Sequence, residues 1–260
     1  MTSLRIDAVE AFDDNYIWII DDGRSAAVVD PGQAEPVRDY LADHRLALGA
    51  LLLTHHHADH IGGVADLLRD PLDHSPCPVY GPPDPRIAVV NQPCRHGDLV
   101  EIETPALTFR VLETPGHTTS HIAFHGHGRL FCGDTLFSIG CGRMFEGTPP
   151  QMLASLDALA ALPDETWVHC AHEYTRANCA FATRVDPDNR DLAQRCDEVE
   201  RLRRHDERTV PSRLGDERRC NPFLRTRERD VVQAAVAHDP ECDGSPASVF
   251  AVLRRWKDAY

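Results

Sequence analysis

The segment LLLTHHHADHIGG, residues 51–63, constrains this chain more than any other. The apolar run ALGALLLT ends at Thr54 and reads as a strand buried on both faces. Four histidines and an aspartate then fall within six positions. Residues just past such a strand sit at its C-terminal lip, where active-site loops of layered α/β folds collect. In an extended stretch alternate side chains share a face, so His55 and His57 project together and His56 points away. Asp59 and His60 reach a second point nearby as the chain turns into a helix over ADHIGGVADLLRD. Imidazoles and carboxylates suit Zn²⁺, Mn²⁺ and iron alike.

One tract offers too few ligands to close two metal sites. Three later residues share its context, each ending a strand-like run at a loop: His117 in LETPGHTTSH, Asp134 in LFCGDTLF and His172 in VHCAHEY. A carboxylate such as Asp134 can bridge two metals ~3.5–4 Å apart. A single histidine is more often structural or superficial, and that reading is kept for His121, His125, His127, His205 and His238. The ordered set is what points to a binuclear centre.

The first third alternates strands and turns. RIDAVEAF, YIWIID and SAAVVD are apolar or alternating runs, and AEPVRDYLADH carries Val37, Tyr40 and Leu41 at helical spacing. CPVYG, LTFRVLETPGH, HIAFHGHG and RLFCGD form a second strand series. TPPQMLASLDALAALP predicts a helix with Thr148 as cap, Pro149 in the first turn and an apolar stripe of Met152, Leu153, Leu156 and Leu159. TWVHCAHE is a last strand. DLAQRCDEVERLRRHDER reads as a solvated helix, and SPASVFAVLRRWKDAY as a helix capped by Ser245 with Val249, Val252, Leu253 and Trp256 on its apolar face. Mixed strands and helices over 1–173, followed by a helical segment over 174–260, make an α/β (α+β) protein of two domains.

Composition narrows the function. A net charge of −14 with a pI near 5.4 argues against a nucleic-acid protein. Nine cysteines, scattered and without a CxxC pair, fit reduced intracellular thiols better than a disulfide framework. No apolar run approaches the ~20 residues of a membrane span. The opening MTSLRIDAVEAF lacks a basic-then-apolar signal character, so the expected address is the cytoplasm. Lys257 is the only lysine.

THHHADH followed by His117, Asp134 and His172 resembles the metallo-β-lactamase superfamily. That resemblance implies a four-layer αββα sandwich with a binuclear metal centre. It assigns His55, His57 and His117 to one metal, Asp59, His60 and His172 to the other, and Asp134 to the bridge. VVDPG resembles the superfamily's strand-end motif, which places Asp30 behind the ligands as a support. His56 takes a packing or supporting role.

The superfamily's metals do not choose the substrate. AFDDNYIWII, GCGRMFEGTPPQM, HEYTRANCAFA, TVPSRLGDERRCNPFLR and LRRWKDAY together resemble the glyoxalase II family, the hydroxyacylglutathione hydrolases, over nearly the whole chain. Glutathione carries two carboxylates, so cationic clamps are expected beside the metals. Arg254 and Lys257, three apart on one helix face, with Arg143, Tyr174 and Asn178, are the contacts the resemblance implies. The family often has Lys where this chain has Arg143, and Tyr where it has Phe145. Phe145 lacks the hydroxyl, so that hydrogen bond does not carry over.

The expected reaction is attack of a hydroxide held between two divalent metals, zinc first with iron or manganese also suited, on the thioester carbonyl. Asp59 is the catalytic carboxylate that orients it. S-D-lactoylglutathione would give glutathione and D-lactate, the second step of methylglyoxal detoxification, with no serine or cysteine nucleophile. The resemblance implies a monomer with a small-molecule glutathione thioester, and no nucleic-acid or membrane partner. The rival readings are a mononuclear-iron glutathione persulfide dioxygenase of the same superfamily, an RNA-processing nuclease disfavoured by the charge, and a non-catalytic metal-binding protein.

Overall fold

The computed structural model describes residues 4–69 and 77–260. The chain divides into two compact units, one running to Glu113 and resuming over Ser120–Gly133, the other joining Thr114–Thr119 to Asp134–Tyr260. The first three residues of the opening MTSLRIDAVEAF and Asp70, the last position of the helix expected after the histidine tract, lie outside the described residues.

The first unit opens with strands β1 (Arg5–Ala11), β2 (Asn15–Asp21) and β3 (Ser25–Val29), then helix α1 (Glu35–His44) and strand β4 (Ala47–Leu52). Short helices α2 (Ala58–Ile61) and α3 (Val64–Leu67) follow, then β5 (Val79–Gly81) and β6 (Gln92–Pro93). The six strands form one sheet in sequence order, antiparallel from β1 to β3 and parallel from β3 to β6. Every residue of β2 and β3 is buried, as a sheet covered on both faces requires. Val37 and Leu41 of α1 join Val64 and Leu67 of α3 in one core with Ile17, Ile19, Val28, Leu51 and Leu53, so the helices cover one face of this sheet.

A meander of β7 (Leu99–Ile102), β8 (Leu107–Glu113), β9 (Ile122–Gly126) and β10 (Arg129–Gly133) completes the unit, each strand antiparallel to the next. In β8, Leu107, Phe109 and Val111 are buried while Thr108 and Arg110 are exposed, the alternation of a sheet with one wet face. The Phe109 ring meets those of Phe124 and Phe131 edge-on, with centroids 6.5 and 5.9 Å away. The Ile122 N–H donates to the Thr54 carbonyl at 2.9 Å, which fixes the start of β9 against the chain just past β4.

Two expectations need correction here. Strand β4 ends at Leu52, although Leu53 and Thr54 remain fully buried beyond it. The single helix expected after the tract is two short helices, broken at Gly62 and Gly63. The Asp30–Gln33 loop packs directly against that break. A Cβ on Gly63 would lie 2.4 Å from the Gln33 carbonyl carbon, and the Gly63 N–H donates to the Pro31 carbonyl at 2.9 Å. Only glycine permits that approach.

The second unit holds the hairpin strands β11 (Leu136–Phe137) and β12 (Gly140–Cys141), helix α4 (Pro149–Ala160) and strand β13 (Trp167–Cys170). Helices α5 (Thr175–Val185) and α6 (Arg190–Arg203), strand β14 (Ser212–Arg213), helix α7 (Leu214–Cys220), a 3-10 turn (Pro222–Leu224), and helices α8 (Arg229–His238) and α9 (Pro246–Asp258) follow. Helix α4 begins with a capping box in which Gln151 Oε1 accepts the Thr148 N–H at 3.0 Å. Helix α9 is capped by Ser245 and buries Val249, Phe250, Val252 and Leu253. Each such side chain contributes about 1.5–3 kcal/mol on burial. The segment over 174–260 is helical as expected except for β14, which pairs antiparallel with Trp167 and Val168 of β13. No helix among the described residues is long and apolar enough to cross a membrane.

Candidate metal centre

The histidine tract lies where β4 gives way to α2, and its side chains are held from behind. Asp30, at φ 51°, accepts the Thr54 N–H at 2.8 Å and the Thr54 hydroxyl at 2.7 Å. The same carboxylate lies 3.0 Å from His60 Nδ1, and Thr54 Oγ1 lies 3.0 Å from His55 Nδ1. One buried aspartate therefore orients two imidazoles by their Nδ1 edges. Ligand atoms of Asp30, His55 and His60 lie within 4.8 Å of one another. His55 meets His57 edge-on at 4.7 Å, and Asp59 Oδ2 lies 3.4 Å from His60 Nε2. Asn15 Nδ2 donates to the Asp59 carboxylate at 3.1 Å.

His56 leaves this cluster as the alternation predicts. Its Nδ1 lies 3.9 Å from Asp84 Oδ2. The Arg86 guanidinium, and then the Ser120 hydroxyl, hold the buried Asp84 carboxyl well below the usual carboxylate range. His121, grouped above with structural or surface histidines, is fully buried and stacks on His55 with centroids 4.7 Å apart. Its sequence neighbourhood carries no sign of that role. Asn15 and Thr54 were likewise missed, because a polar residue beside a motif announces nothing about which carboxylate or ring it meets.

Within the second unit Asp134 lies between two histidines. Its oxygens are 3.4 Å from His117 Nε2 and 3.3 Å from His172 Nε2. His117 Nδ1 lies 2.8 Å from the Arg143 carbonyl. Its Nε2 edge is thereby turned toward Asp134. Imidazoles bound through Nδ1 to a carbonyl, a carboxylate or a hydroxyl, with Nε2 converging on an aspartate, are the donor arrangement of histidine metal sites. The residues in each unit therefore fit a divalent metal by their chemistry.

The residues expected at the substrate lie in the second unit but in two different environments. Tyr174 is partly exposed and its ring stacks on His172, 4.7 Å apart and within 6° of parallel. Phe145 is exposed, meets His117 edge-on at 5.2 Å, and its N–H donates to the His117 carbonyl at 3.1 Å. Arg143 is exposed with Nε 3.4 Å from Asp258. Lys257 donates to the Ala177 carbonyl at 3.1 Å and lies 5.5 Å from the Phe181 ring centroid. Burial, then the neighbouring Arg254 and Arg143 charges, lower the Lys257 ammonium from its ordinary value.

Arg254 and Asn178 depart from the expectation that they present themselves to a ligand. Arg254 is buried, donating to the Cys141 carbonyl at 2.8 Å and to Asp258 at 2.9 Å. Asn178 is buried too, and its amide donates to the Ser138 carbonyl at 3.0 Å. Both brace the β11–β12 hairpin, which connects Asp134 to Arg143 in sequence. The same hairpin is held by two residues that sequence reading did not single out. Glu217 Oε2 accepts the Ile139 N–H at 2.7 Å, and Asn221 Nδ2 donates to the Phe137 and Gly140 carbonyls at 3.2 and 2.9 Å. Burial pushes the Glu217 carboxyl up, against the hydrogen bond from Ile139.

Sequence comparison settles the family. The model for the metallo-beta-lactamase superfamily matches residues 12–172, and that for the hydroxyacylglutathione hydrolase C-terminus matches residues 173–260. Over 265 aligned positions the chain is 54% identical to the hydroxyacylglutathione hydrolase of Cupriavidus metallidurans, covering 99% of each chain. The chain belongs to the hydroxyacylglutathione hydrolase family. Among solved structures, that of ETHE1 from Myxococcus xanthus is similar with a TM-score of 0.63 and 26% identity, covering 99% of both chains. The BLEG-1 B3 metallo-beta-lactamase has a TM-score of 0.62 and 24% identity, covering 85% of this chain and 99% of that one. This hydroxyacylglutathione hydrolase family member thus has the metallo-beta-lactamase fold, with mixed sheets and a helical C-terminal region, as the motifs implied.

Proposed function

We propose that the protein hydrolyses S-(2-hydroxyacyl)glutathione thioesters, S-D-lactoylglutathione giving glutathione and D-lactate. The observation that carries this reading is the similarity to hydroxyacylglutathione hydrolases over the whole chain, with its own C-terminal family segment across residues 173–260. Residues 1–173 form the catalytic domain in this reading, and residues 174–260 bind substrate.

His55, His57 and His117 would hold one divalent metal and Asp59, His60 and His172 the other, with Asp134 as a ligand common to both. Zinc suits these ligands, as do iron and manganese. When bound, the metals supply hydroxide near neutral pH and polarise the thioester carbonyl. The chain's own residues do the rest. Asp59, steadied by Asn15, orients the nucleophile. Asp30 keeps His60 in the tautomer that offers Nε2, and the Arg143 carbonyl does the same for His117. Arg143 and Lys257 receive the glutathione carboxylates, and Tyr174 contacts the peptide beside His172. Arg254 and Asn178 act indirectly, by fixing the hairpin before Arg143. The leaving group is a thiolate, so no acid is needed to expel it. Nine free cysteines support a cytoplasmic address.

The test is hydrolysis of S-D-lactoylglutathione by metal-replete protein, followed by loss of the thioester, with metal content measured on the same sample. Turnover is expected. Absence of turnover together with oxygen uptake on glutathione persulfide would overturn the hydrolase reading in favour of the dioxygenase.

A further inference from the structure

Away from the metal-binding residues, helices α5 and α6 bring two thiols together. Cys179 is buried on α5, and Cys196 is half-buried on α6. The two helices pack against each other, and Thr183 stands one turn after Cys179 on α5. Thr183 Oγ1 lies 3.9 Å from Cys196 Sγ. Cys179 belongs to a core cluster with Ile139, Ala182, Leu192, Val199 and Cys220, and Cys196 packs at its edge. One sulfur is therefore reachable from solvent while its neighbour is screened.

The electrostatics separate the two. The neighbouring Cys179 thiol, followed by Thr183 and the Arg195 charge, draws the Cys196 thiol below its ordinary value despite its partial burial. The neighbouring Cys196 thiol, and then burial, raise the Cys179 thiol above its ordinary value. Burial pushes Cys94 and Cys141 up to about 11, and Cys170 and Cys220 up to about 12. Thiolate character and access together select the reactive cysteine in a protein; access leaves Cys77 and Cys196, and Cys196 is the one that packs against a cluster holding a second thiol, Cys179.

We propose that Cys196 and Cys179 form a thiol–disulfide exchange site whose reactant is a small-molecule disulfide. The Cys196 thiolate attacks one sulfur of the disulfide. The S–S bond breaks, one thiolate leaves, and a mixed disulfide forms on Cys196. The Cys179 thiol gives its proton to solvent, and its sulfur attacks Cys196 Sγ. The second small thiolate leaves as the Cys179–Cys196 bond closes. Two protein thiols are oxidised, one disulfide is reduced to two thiols, and the two protons lost by the cysteines balance those gained by the products. Burial fixes the order, with Cys196 attacking and Cys179 resolving. This site does not rest on the metal assignments.

The test incubates the wild-type protein with glutathione disulfide at neutral pH and maps its peptides by mass spectrometry without reduction. A Cys179–Cys196 cross-linked peptide that disappears on treatment with dithiothreitol is the expected result. In Cys179→Ser, a stable glutathione adduct on Cys196 should replace it. Cys77, the other half-buried thiol, serves as the internal control. An unmodified Cys196 in the wild type, whatever happens at Cys77, overturns the proposal. So does a persistent glutathione adduct on wild-type Cys196 with Cys179 free. The wild-type experiment decides by itself if the variant does not fold.

Discussion

Glu217 accepts the backbone N–H of Ile139 at 2.7 Å across 78 positions of sequence. Ile139 has φ 57°, a left-handed conformation that is unfavourable for a β-branched side chain. The buried carboxylate thus holds a turn that the local sequence disfavours, and that turn belongs to the hairpin between Asp134 and Arg143. Removing the acceptor in Glu217→Ala leaves a buried N–H unpaired and should cost about 1–3 kcal/mol. Ile139→Gly relieves about 1 kcal/mol of left-handed strain but gives up a fully buried side chain, so the double variant should lose less than the sum of the two single losses. Denaturant unfolding of the two single variants and the double variant checks this. Strictly additive losses in the double variant would contradict it.

Glu217 also makes a pH prediction. Its folded-state pKa is raised by burial, so the folded protein holds this proton more tightly than the unfolded chain. The associated stability is fully present below the ordinary glutamate value of 4.5 and is lost as pH rises through the raised value. Stability curves of wild type and Glu217→Gln, measured from acid to neutral pH, should converge at acid pH and separate in favour of Gln as pH rises. Parallel curves would show that Glu217 does not titrate differently on folding.

Lys257 should act on substrate binding, not on the chemical step. Replacing it with methionine should raise KM by about 10–100-fold, the range for losing a charge-assisted hydrogen bond, with kcat largely kept. Its lowered pKa adds a signature. KM should rise at a less alkaline pH than for an ordinary lysine, and Lys257→Arg should hold its KM to higher pH. A KM that does not change with pH in this range would count against the role.

Asp30 touches Thr54 and His60 but is not assigned to either metal. Asp30→Asn should weaken metal binding by about 10–100-fold through its effect on ring orientation. Competition with a chelator, read as metal retained per chain, measures this. The fold should survive, as judged by circular dichroism.

Tyr174 stacks on His172 through its ring. Tyr174→Phe keeps the ring and should change KM alone, whereas Tyr174→Ala should also lower kcat by exposing His172. Steady-state kinetics of the pair separates the hydroxyl's contribution from the ring's. Equal effects of both variants would assign everything to the hydroxyl.

The residues proposed as metal ligands stand out in the sequence because they lie where strands end, and strand periodicity is a local property. The capping box of α4 and the Ser245 cap of α9 were legible for the same reason. Helix α2–α3 was misread as one helix because its break depends on a loop some thirty residues earlier, which the Gly62–Gly63 pair only hints at. His121 was passed over because nothing adjacent to it in sequence records the His55 ring it stacks on.

The sequence alone determined which side chains can bind metal, in what order they come, and which family's substrate motifs accompany them. Chemistry carried by residue type and short spacing survives without coordinates. Tertiary structure alone decided that Arg254 turns inward to Cys141 while Lys257 stays only half-buried, although both share one helix face in projection. It also decided that Glu217, Asn221 and Asn178 converge on one hairpin. Burial and hydrogen-bond partners depend on what packs against an element, and the partners here come from segments far apart in the chain.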